Sequence, residues 1–221
     1  MSGAPARLEA AAAPAAERFD AAAFQAATRA SEAQMADLEA FRGLLADWNQ
    51  KMNLVGPSAM SEFWLRHAYD SAQLLAIAPK AKVWADLGAG AGFPGLVLAI
   101  LLKGCDGAHV HLVESMVKRC RFLAAVVGAL DLPATVHNAR AEELSLKVHV
   151  VCARAFAPMA KLLGYARPYL RKNVVGLFLK GQDVEIELAE ATRYWSFEAT
   201  LRPSLSSPQG RIVQLRRLSR V

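Results

Sequence analysis

The amino-acid sequence predicts an α/β protein built on a doubly wound, mainly parallel sheet of seven strands. From residue 80 onward, apolar runs of strand length alternate with stretches of helical spacing, a pattern typical of parallel strands joined by helices. A glycine-rich stretch joins the first of these strands to the helix that follows it. The last two runs alternate apolar and polar residues, which indicates an antiparallel pair at one edge of the sheet.

The composition excludes several classes of protein. The 221 residues are 54% hydrophobic and 21% charged, which is too apolar and too weakly charged for a disordered chain. The longest run of large apolar residues, at 96–102, is shorter than the roughly 20 residues that cross a bilayer, so we expect no membrane span. Residues 1–30 lack the basic start and apolar core of a secretory signal.

The net charge bears on the binding partner, and the cysteine content bears on the cellular compartment. The 26 basic and 20 acidic residues give a net charge of +6, which permits nucleic-acid binding without requiring it. The cysteines are Cys105, Cys120 and Cys152, an odd number with no Cys-x-x-Cys pair. They predict neither a disulfide framework nor a metal site, and we expect a protein of the reducing cytoplasm.

The first part of the chain is predicted to be helical. Residues 1–30 are dominated by alanine and hold two prolines, so we interpret them as an N-terminal tail, with a loosely attached helix as the alternative. Ser31, with Gln34 three residues later, fits the cap of a first helix whose large apolar residues recur at helical spacing as far as Trp48. A Gly-Pro pair then breaks the pattern, and we expect a second helix over 58–77.

These two helices predict a helical subdomain over 31–79, and the remaining elements predict a second domain over 80–221. The expected strands are 83–87, 109–113, 134–137, 148–152, 174–179, 195–201 and 210–215. The expected helices are 96–102, 118–130, 159–169 and 184–191. In such a sheet a ligand binds at the carboxyl ends of the parallel strands.

The strongest functional motif is the glycine-rich stretch after the first predicted strand. It reads Asp86-x-Gly88-x-Gly90-x-Gly92-x-Pro94-Gly95. Glycine has no Cβ atom, so the backbone can turn sharply here and approach a ligand closely. Glu114 closes the next predicted strand, where a carboxylate can accept both hydroxyl protons of a ribose. A glycine-rich turn without a ligand is the alternative.

Two details favour S-adenosylmethionine over a dinucleotide, whose fingerprint Gly90-x-Gly92-x-x-Gly95 is also present. Asp86 precedes the first glycine by two residues and would repel a pyrophosphate, whereas it would attract the sulfonium and amino groups of S-adenosylmethionine. A dehydrogenase would normally need a separate substrate domain, but this chain closes with an antiparallel pair. We therefore predict an adenosylmethionine loop.

Beyond this loop, the chain carries short motifs in a fixed order. They are Trp48-Asn49-x-x-x-Asn53-Leu54, Arg66-His67-x-x-Asp70-Ser71, the loop 86–95, Glu114-Ser115-x-x-Lys118-Arg119-x-x-Phe122-Leu123, Arg154-Ala155 and Leu179-Lys180-Gly181. In these motifs, over about residues 40–215, the chain resembles the small-subunit ribosomal RNA guanine-N7 methyltransferases, also called the glucose-inhibited division protein B family. Glu114 departs from the pattern by one methylene, because many relatives carry an aspartate there.

The resemblance implies a Rossmann-like class I methyltransferase fold and methyl transfer from S-adenosylmethionine to N7 of a guanine in 16S ribosomal RNA. The implied partner is this RNA or the small ribosomal subunit, and we expect a monomer. A methyltransferase of the same fold acting on a protein or a small metabolite is one alternative, which the local basic clusters disfavour. An RNA-binding module with a vestigial pocket is another, which the intact loop glycines disfavour.

The expected cofactor contacts come from the ends of four strands. After the third strand, the resemblance and the topology both put the backbone near the adenine, where Ala141 N–H and Glu142 can read N1 and N6. A solvated loop charge is the alternative for Glu142. The expected cofactor-binding residues are Asp86, Gly88, Gly90, Gly92, Phe93, Glu114, Ser115, Ala141, Glu142 and Arg154, the last of which the resemblance places along the cofactor site.

Methylation of guanine N7 requires alignment and no general base, because N7 bears a lone pair and no proton at neutral pH. The chain shows no Asn/Asp-Pro-Pro-aromatic clamp for an amine, and Cys152 lies in an apolar strand, where we interpret it as a core residue. Arg154 and Lys180 are the expected catalytic residues. Arg154 can contact a carboxylate, a phosphate or the guanine edge, with a salt bridge to Asp86 or Glu114 as the alternative. Lys180 is placed to meet substrate phosphate.

Several further residues have less specific interpretations. His67 and Asp70 share one predicted helical face, and we interpret them as a brace between the helical subdomain and the cofactor loop, with RNA contact as the alternative. Trp48 is expected in the core, and Asn49 and Asn53 are expected to hold the turn before the Gly-Pro pair. Basic residues that face either solvent or RNA form three clusters, namely Lys118, Arg119 and Arg121, then Arg167, Arg171 and Lys172, then Arg211, Arg216, Arg217 and Arg220.

Overall fold

The fold was obtained as a computed structural model that describes residues 19–171 and 173–221. The strands in these ranges are β1 Val83–Leu87, β2 His109–Glu114, β3 Ala134–Asn138, β4 Val150–Arg154, β5 Val175–Lys180, β6 Trp195–Pro203 and β7 Arg211–Arg220. Within the described residues these seven strands form one sheet in the order β3-β2-β1-β4-β5-β7-β6. Strands β1 to β5 run parallel, while β7 runs antiparallel to both β5 and β6, so the sheet is mixed.

Helices cover both faces of this sheet. The α-helices of the described residues are α1 Ala21–Thr28, α2 Glu32–Met52, α3 Asp70–Ile77, α4 Gly95–Leu101, α5 Val117–Ala129, α6 Met159–Ala166 and α7 Val184–Ala191. Short 3-10 turns occur at Pro57–Ala59 and Ala141–Glu143, and a π-helix spans Phe63–Tyr69. None of the helices in the described ranges is long and apolar enough to cross a membrane.

The predicted start of α2 is confirmed. Ser31 Oγ accepts from Gln34 N at 3.2 Å, and Gln34 Oε1 accepts from Ser31 N at 2.9 Å, which completes a capping box. The Gln34 amide also donates to Leu101 O at 2.8 Å and thereby ties α2 to the end of α4. At its other end α2 stops at Asn53, which adopts a left-handed conformation with φ 50°.

The prediction of one helix over 58–77 is wrong, because the segment is divided into a 3-10 turn, the π-helix and α3. Phe63, Trp64 and Leu65 are buried in succession. A regular amphipathic helix exposes one of three consecutive side chains, whereas the wider π turn directs all three toward the protein. The sequence prediction treated these residues as part of an ordinary apolar stripe and so missed the change of helix type.

Within the predicted N-terminal segment over 1–30, the structure describes residues 19–30 and shows a helix there. Residues 21–28 form α1, capped by Asp20, whose side chain accepts from Ala23 N at 2.9 Å. Phe24 is fully buried and packs against Trp64 with ring centroids 5.4 Å apart. A single large apolar residue among alanines produces no periodic pattern, and for that reason the sequence did not distinguish a tail from a loosely attached helix here.

The core consists of two clusters of buried side chains, one on each face of the sheet. Along β2, Val110 and Leu112 belong to one cluster and Val113 to the other, as the alternation of side chains in a strand requires. The first cluster also contains Phe41 and Phe63, so the helices of 31–79 share their core with the sheet. Burial of each large side chain in such a core stabilises the fold by about 1.5–3 kcal/mol.

Candidate active site

The glycine-rich loop lies at the carboxyl end of β1 and is tied to β2. Gly88 N and Ala89 N donate to Val113 O at 2.9 and 3.0 Å. Gly88 has φ +70°, a conformation that other residues adopt only with strain. A Cβ atom on Gly88 would also lie 2.3 Å from the ring of Phe156. Conformation and space therefore both require glycine at this position.

A cavity of about 490 Å³ opens above this loop, at the ends of β1, β2 and β4. Its volume is within the range of small-molecule sites in proteins. The expected cofactor residues that line it are Gly88, Glu114, Ser115, Ala141 and Glu142. Gly90, Gly92 and Phe93 shape the loop from outside the cavity, and Asp86 and Arg154 lie next to it without lining it. The structure thus brings half of the predicted set to one concave surface.

Glu114 faces the cavity from the last position of β2. Its side chain is almost completely buried, with Oε2 accepting from Gly90 N at 3.1 Å and Oε1 accepting from Met116 N at 2.8 Å. Arg119 Nη1 lies 3.7 Å from Oε2. A carboxylate has about four acceptor positions, so two backbone donors leave capacity for ribose hydroxyl groups.

Ala141 and Glu142 form the adjacent wall. Ala141 lies in a 3-10 turn, and its carbonyl oxygen accepts from the Tyr169 hydroxyl at 2.8 Å, which fixes the turn against α6 and the segment after it. Burial raises the pKa of Tyr169 to about 12, with Glu142 as the second cause, so this phenol remains a donor. Glu142 is half-exposed and lies 4.0 Å from Arg140 Nη1. The turn is therefore a preformed surface rather than a mobile tip.

Asp86 is fully buried beneath the loop. Its Oδ2 accepts from Gly95 N at 2.9 Å, at the first residue of α4, while Oδ1 is buried without a hydrogen-bond partner among the described residues. Desolvation raises the pKa of Asp86 to about 7, and the Gly95 N–H and Arg154 oppose that rise. A Cβ atom on Gly95 would lie 2.6 Å from Oδ2, so the glycine permits this close approach. Contact of Asp86 with the cofactor cations stays a prediction.

Arg154 is the last residue of β4 and reaches across the loop to the π-helix. Nη1 donates to Arg66 O at 2.8 Å, Nη2 donates to His67 Nδ1 at 2.7 Å, and Cζ lies 5.1 Å from the ring centroid of Phe93. The alternative prediction is a salt bridge from Arg154 to Asp86 or Glu114. It is wrong, because the acidic partner is Asp70, whose Oδ2 lies 3.9 Å from Nη1. Sequence spacing could not show that the π turn brings Asp70 to this point.

The contact with Arg154 fixes the state of His67. An arginine can only donate, so Nδ1 accepts and the proton of the neutral ring is on Nε2. Burial, followed by the charge of Arg154, lowers the pKa of His67 to about 4, which agrees with a neutral ring. The ring stacks on Phe93 with centroids 4.8 Å apart. The predicted brace between the helices and the loop is thus present, although Asp70 is not the group that orients His67.

A second cavity of about 500 Å³ adjoins the first at Ala155, which has φ +49°. Arg154 and Lys180, the two expected catalytic residues, both line it. Lys180 Nζ donates to Ala157 O at 3.0 Å and forms an ion pair with Glu187 of α7. Lys180 is therefore neutralised by an acidic partner that sequence reasoning missed, since nothing in the spacing of 180 and 187 indicated it.

Further predictions concern the turn after α2 and two core residues. Asn49 Oδ1 accepts from Val55 N at 2.9 Å, so Asn49 and the left-handed Asn53 hold the turn as expected. Trp48 packs against Phe122 with centroids 5.8 Å apart, and Cys152 is fully buried. Within the described ranges, no group of His, Cys, Asp or Glu residues is arranged to hold a metal ion.

Two arginines of the predicted basic clusters lie close to acidic side chains. Arg119 lies near Glu114, and Arg217 Nη1 donates to Glu198 Oε1 at 2.7 Å. Lys118 and Arg121 are exposed on α5, the helix whose Arg119 lines the first cavity. Lys172, predicted as part of the second cluster, lies outside the described residues. Contact of these clusters with RNA stays a prediction.

The family model that matches this chain and two similar proteins carry the same description. The family model described as rRNA small subunit methyltransferase G matches residues 34–213. A protein of Caulobacter vibrioides (strain NA1000 / CB15N), named ribosomal RNA small subunit methyltransferase G, is 66% identical over 203 residues, which is 92% of this chain and 94% of that protein. A protein of the same name from Methylorubrum populi is 47% identical over 187 residues, with 83% and 89% of the two chains covered.

Solved structures show the same fold at low sequence identity. A mutant of MtNAS in complex with S-adenosylmethionine has a TM-score of 0.54 and 14% identity, and the match covers 91% of this chain and 86% of that one. A SAM dependent methyltransferase from Aquifex aeolicus has a TM-score of 0.53 and 13% identity, with 74% and 94% covered. These similarities concern the architecture of sheet and helices.

Proposed function

The chain belongs to the rRNA small subunit methyltransferase G family and is an S-adenosylmethionine-dependent methyltransferase of ribosomal RNA, and we propose that it methylates N7 of a guanine in the 16S RNA. The observation that supports this target is the pair of adjoining cavities, with Glu114 in one and Arg154 in the other. The two cavities meet at Ala155, where a methyl donor and an acceptor base can face each other.

The first cavity fits the adenosyl part of the cofactor. Glu114 retains acceptor positions for the ribose hydroxyls, and the fixed turn at Ala141 and Glu142 offers a surface for the adenine edge. Gly88 has no Cβ atom, so the ring of Phe156 can lie close to the loop without entering the cavity further. In this proposal Gly90, Gly92, Phe93 and Ser115 keep the loop and its neighbouring turn in shape.

The chemistry that the bound cofactor supplies is a methyl group on a sulfonium, whose bonding electrons return to sulfur when the group is displaced. The guanine N7 lone pair forms the new bond, and no proton moves, so the residues of the site need only orient the base. Arg154 uses two of its five N–H groups on Arg66 and His67 and has others free to donate. We assign their contact to guanine O6, because a donor on N7 would occupy the attacking lone pair. Lys180 is assigned to the substrate side of the same cavity.

The wider setting is also proposed from the sequence. We propose a cytoplasmic monomer that acts on 16S RNA alone or within the small subunit, without a metal. We also propose an alanine-rich N-terminal segment over 1–30 that contains α1, a helical subdomain over 31–79 and a methyltransferase domain over 80–221. The helices of 31–79 share one hydrophobic cluster with the sheet. We therefore expect the backbone amides of α2 to exchange hydrogen more slowly than those of a helical unit that unfolds independently of the sheet.

The experiment that tests the target uses methyl-labelled S-adenosylmethionine. The protein is incubated with unmodified small subunits and, separately, with naked 16S RNA, and 7-methylguanosine is mapped by strand scission. Label at one guanine N7 is expected. Label on protein, on small molecules or on another RNA atom would overturn the proposal. Calorimetric titration of the cofactor against the unmutated protein and against Gly88→Asp separates loss of cofactor binding from loss of RNA recognition.

A further inference from the structure

A buried hydrogen-bonded network joins the loop between β6 and β7 to the start of α3. Asp70 Oδ1 accepts from Ser204 Oγ at 2.8 Å and from Ser206 Oγ at 2.7 Å. One turn further along α3, Gln73 Oε1 accepts from Leu205 N at 2.7 Å, and Gln73 Nε2 donates to Ser204 Oγ at 3.3 Å. Ser204, Ser206 and Gln73 are all buried. Two segments more than 130 positions apart in sequence are therefore held together by polar contacts.

The direction of each hydrogen bond in this network is fixed by its protons. A serine hydroxyl has one proton, and both hydroxyls donate it to the same oxygen of Asp70. The two Oγ atoms lie 2.9 Å apart with their protons already used, and Ser204 Oγ accepts from Ser206 N at 3.2 Å. Oδ1 of Asp70 is thus committed to the loop, and Oδ2 is the oxygen that faces Arg154 Nη1 at 3.9 Å.

Asp70 consequently lies between the loop and the guanidinium of Arg154. The other partners of that guanidinium, Arg66 O and His67 Nδ1, precede Asp70 in the same stretch of chain. The loop also forms part of the wall of the second cavity, through Ser206 and Gly210. A Cβ atom on Gly210 would lie 2.8 Å from Ser204 Cβ, so the loop is closely packed on itself. Displacement of the loop would therefore move both the cavity wall and the carboxylate beside Arg154.

We propose that Ser204 and Ser206 are positioning residues for methyl transfer, which hold Asp70 and thereby set the place of the Arg154 guanidinium at the junction of the two cavities. This inference rests on the proposed role of Arg154 toward the target guanine. Neither hydroxyl touches the base or the cofactor in this scheme. The two hydroxyls orient a catalytic donor, so their removal is expected to change kcat more than the Kd for S-adenosylmethionine.

The test compares a double variant, Ser204→Ala with Ser206→Ala, with the unmutated protein. We expect about a tenfold lower kcat on unmodified small subunits, with the Kd for S-adenosylmethionine unchanged within about twofold. Ser219→Ala is the matched control, since Ser219 is exposed on β7 of the same hairpin, and no change is expected there. If the double variant fails to fold, Ser206→Ala alone is expected to lower kcat by about threefold.

A second readout does not depend on RNA. Nitrogen-15 NMR of the labelled protein resolves the Arg154 side-chain signals, which are identified by their loss in Arg154→Lys. We expect hindered rotation of the guanidinium in the unmutated protein and faster rotation in the double variant. A folded double variant with unchanged kcat and unchanged Arg154 signals would overturn the inference. If the Arg154 signals change in the double variant but the unmutated protein methylates no RNA, the proposed function is overturned. The effect of the two serines on the position of Arg154 is then still supported.

Discussion

The carboxyl group of Asp86 makes the stability of the cofactor loop depend on pH. Desolvation raises its pKa from 3.8 to about 7 in the folded chain, whereas the unfolded chain releases the same proton near the ordinary value. The folded state therefore binds more protons than the unfolded state between about pH 4 and pH 7. Stability is highest below this window, falls as the pH rises through it and becomes level above it.

Asp86→Asn is expected to remove this dependence. Asparagine still offers an oxygen to Gly95 N but does not titrate, so the unmutated protein should lose on the order of 4 kcal/mol relative to the variant between pH 4 and 7. Urea denaturation of both proteins at several pH values measures the difference. Parallel stability curves for the two proteins would show that Asp86 is ionised in the folded state.

Gly88→Ala tests the space above the loop. An alanine Cβ would meet the ring of Phe156 at a φ of +70°, so we expect the ring to move into the cavity and the affinity for S-adenosylmethionine to fall at least about tenfold. Gly43→Ala is the control, because a Cβ there meets nothing within 4 Å in the middle of α2. That control should bind the cofactor normally and gain about 0.5–1 kcal/mol in stability. Calorimetric titration and urea denaturation measure both, and equal affinity in the two variants would contradict the assigned cofactor site.

Single residues of the site were predictable where a motif tied them to the end of a strand. Gly88 and Glu114 follow from the order of strand, loop and helix, because the carboxyl ends of parallel strands meet at one edge. The partners of Lys180 and Arg154 were not predictable in this way. Glu187 and Asp70 approach them from other elements, and such contacts depend on how helices pack rather than on spacing along the chain.

At the scale of elements, α2 has a predictable beginning and a stability that can be tested. Ser31→Ala removes the side-chain acceptor for Gln34 N, and we expect a loss of about 1 kcal/mol in the free energy of unfolding. Ser31→Asp keeps an acceptor and should retain most of the stability. Urea denaturation of the two variants measures the cap, and equal losses in both would show that the hydrogen bond contributes nothing.

The π-helix at Phe63–Tyr69 was beyond prediction for a reason that applies to most such segments. Its apolar residues fit a helical stripe closely enough to be interpreted as ordinary α-helix, and the choice of turn was made by tertiary packing around Phe63 and Trp64. The consequence is functional, since the wider turn presents Arg66 O and His67 Nδ1 to Arg154. An α-helix through the same residues would rotate these two acceptors to different directions.

At the scale of the whole molecule, the distribution of charge is more informative than the net value of +6. Lys118→Gln combined with Arg121→Gln removes two exposed cations from α5. We expect the slope of log Kd against log salt for RNA binding to become shallower by about 1–2, because each phosphate contact releases counterions. Lys80→Gln with Lys82→Gln is the control at the opposite end of β1 and should leave the slope unchanged. Filter binding at several salt concentrations measures both, and equal slopes in the two variants would remove α5 from the RNA interface.

The strand order of the domain was predictable in outline, because alternating strands and helices allow few topologies and the closing alternation indicated an antiparallel edge. Boundaries were less certain. β4 spans Val150–Arg154 rather than 148–152, and Arg154 lies at the carboxyl end of the strand, as predicted. Apolar composition alone did not reveal this extension, because Arg154 is held in the strand by its ladder partner Leu179.

The position of β7 between β5 and β6 has a consequence for the order in which a newly made chain becomes active. β1 to β4 and all the residues that line the cofactor cavity precede residue 166 in the chain. Ser204, Ser206 and β7 emerge afterwards, and until then Asp70 lacks the hydroxyls that seat it. The residues that line the cofactor cavity are therefore synthesised before the hydroxyls that hold Asp70, so in a growing chain the surroundings of Arg154 are completed later than that cavity's lining.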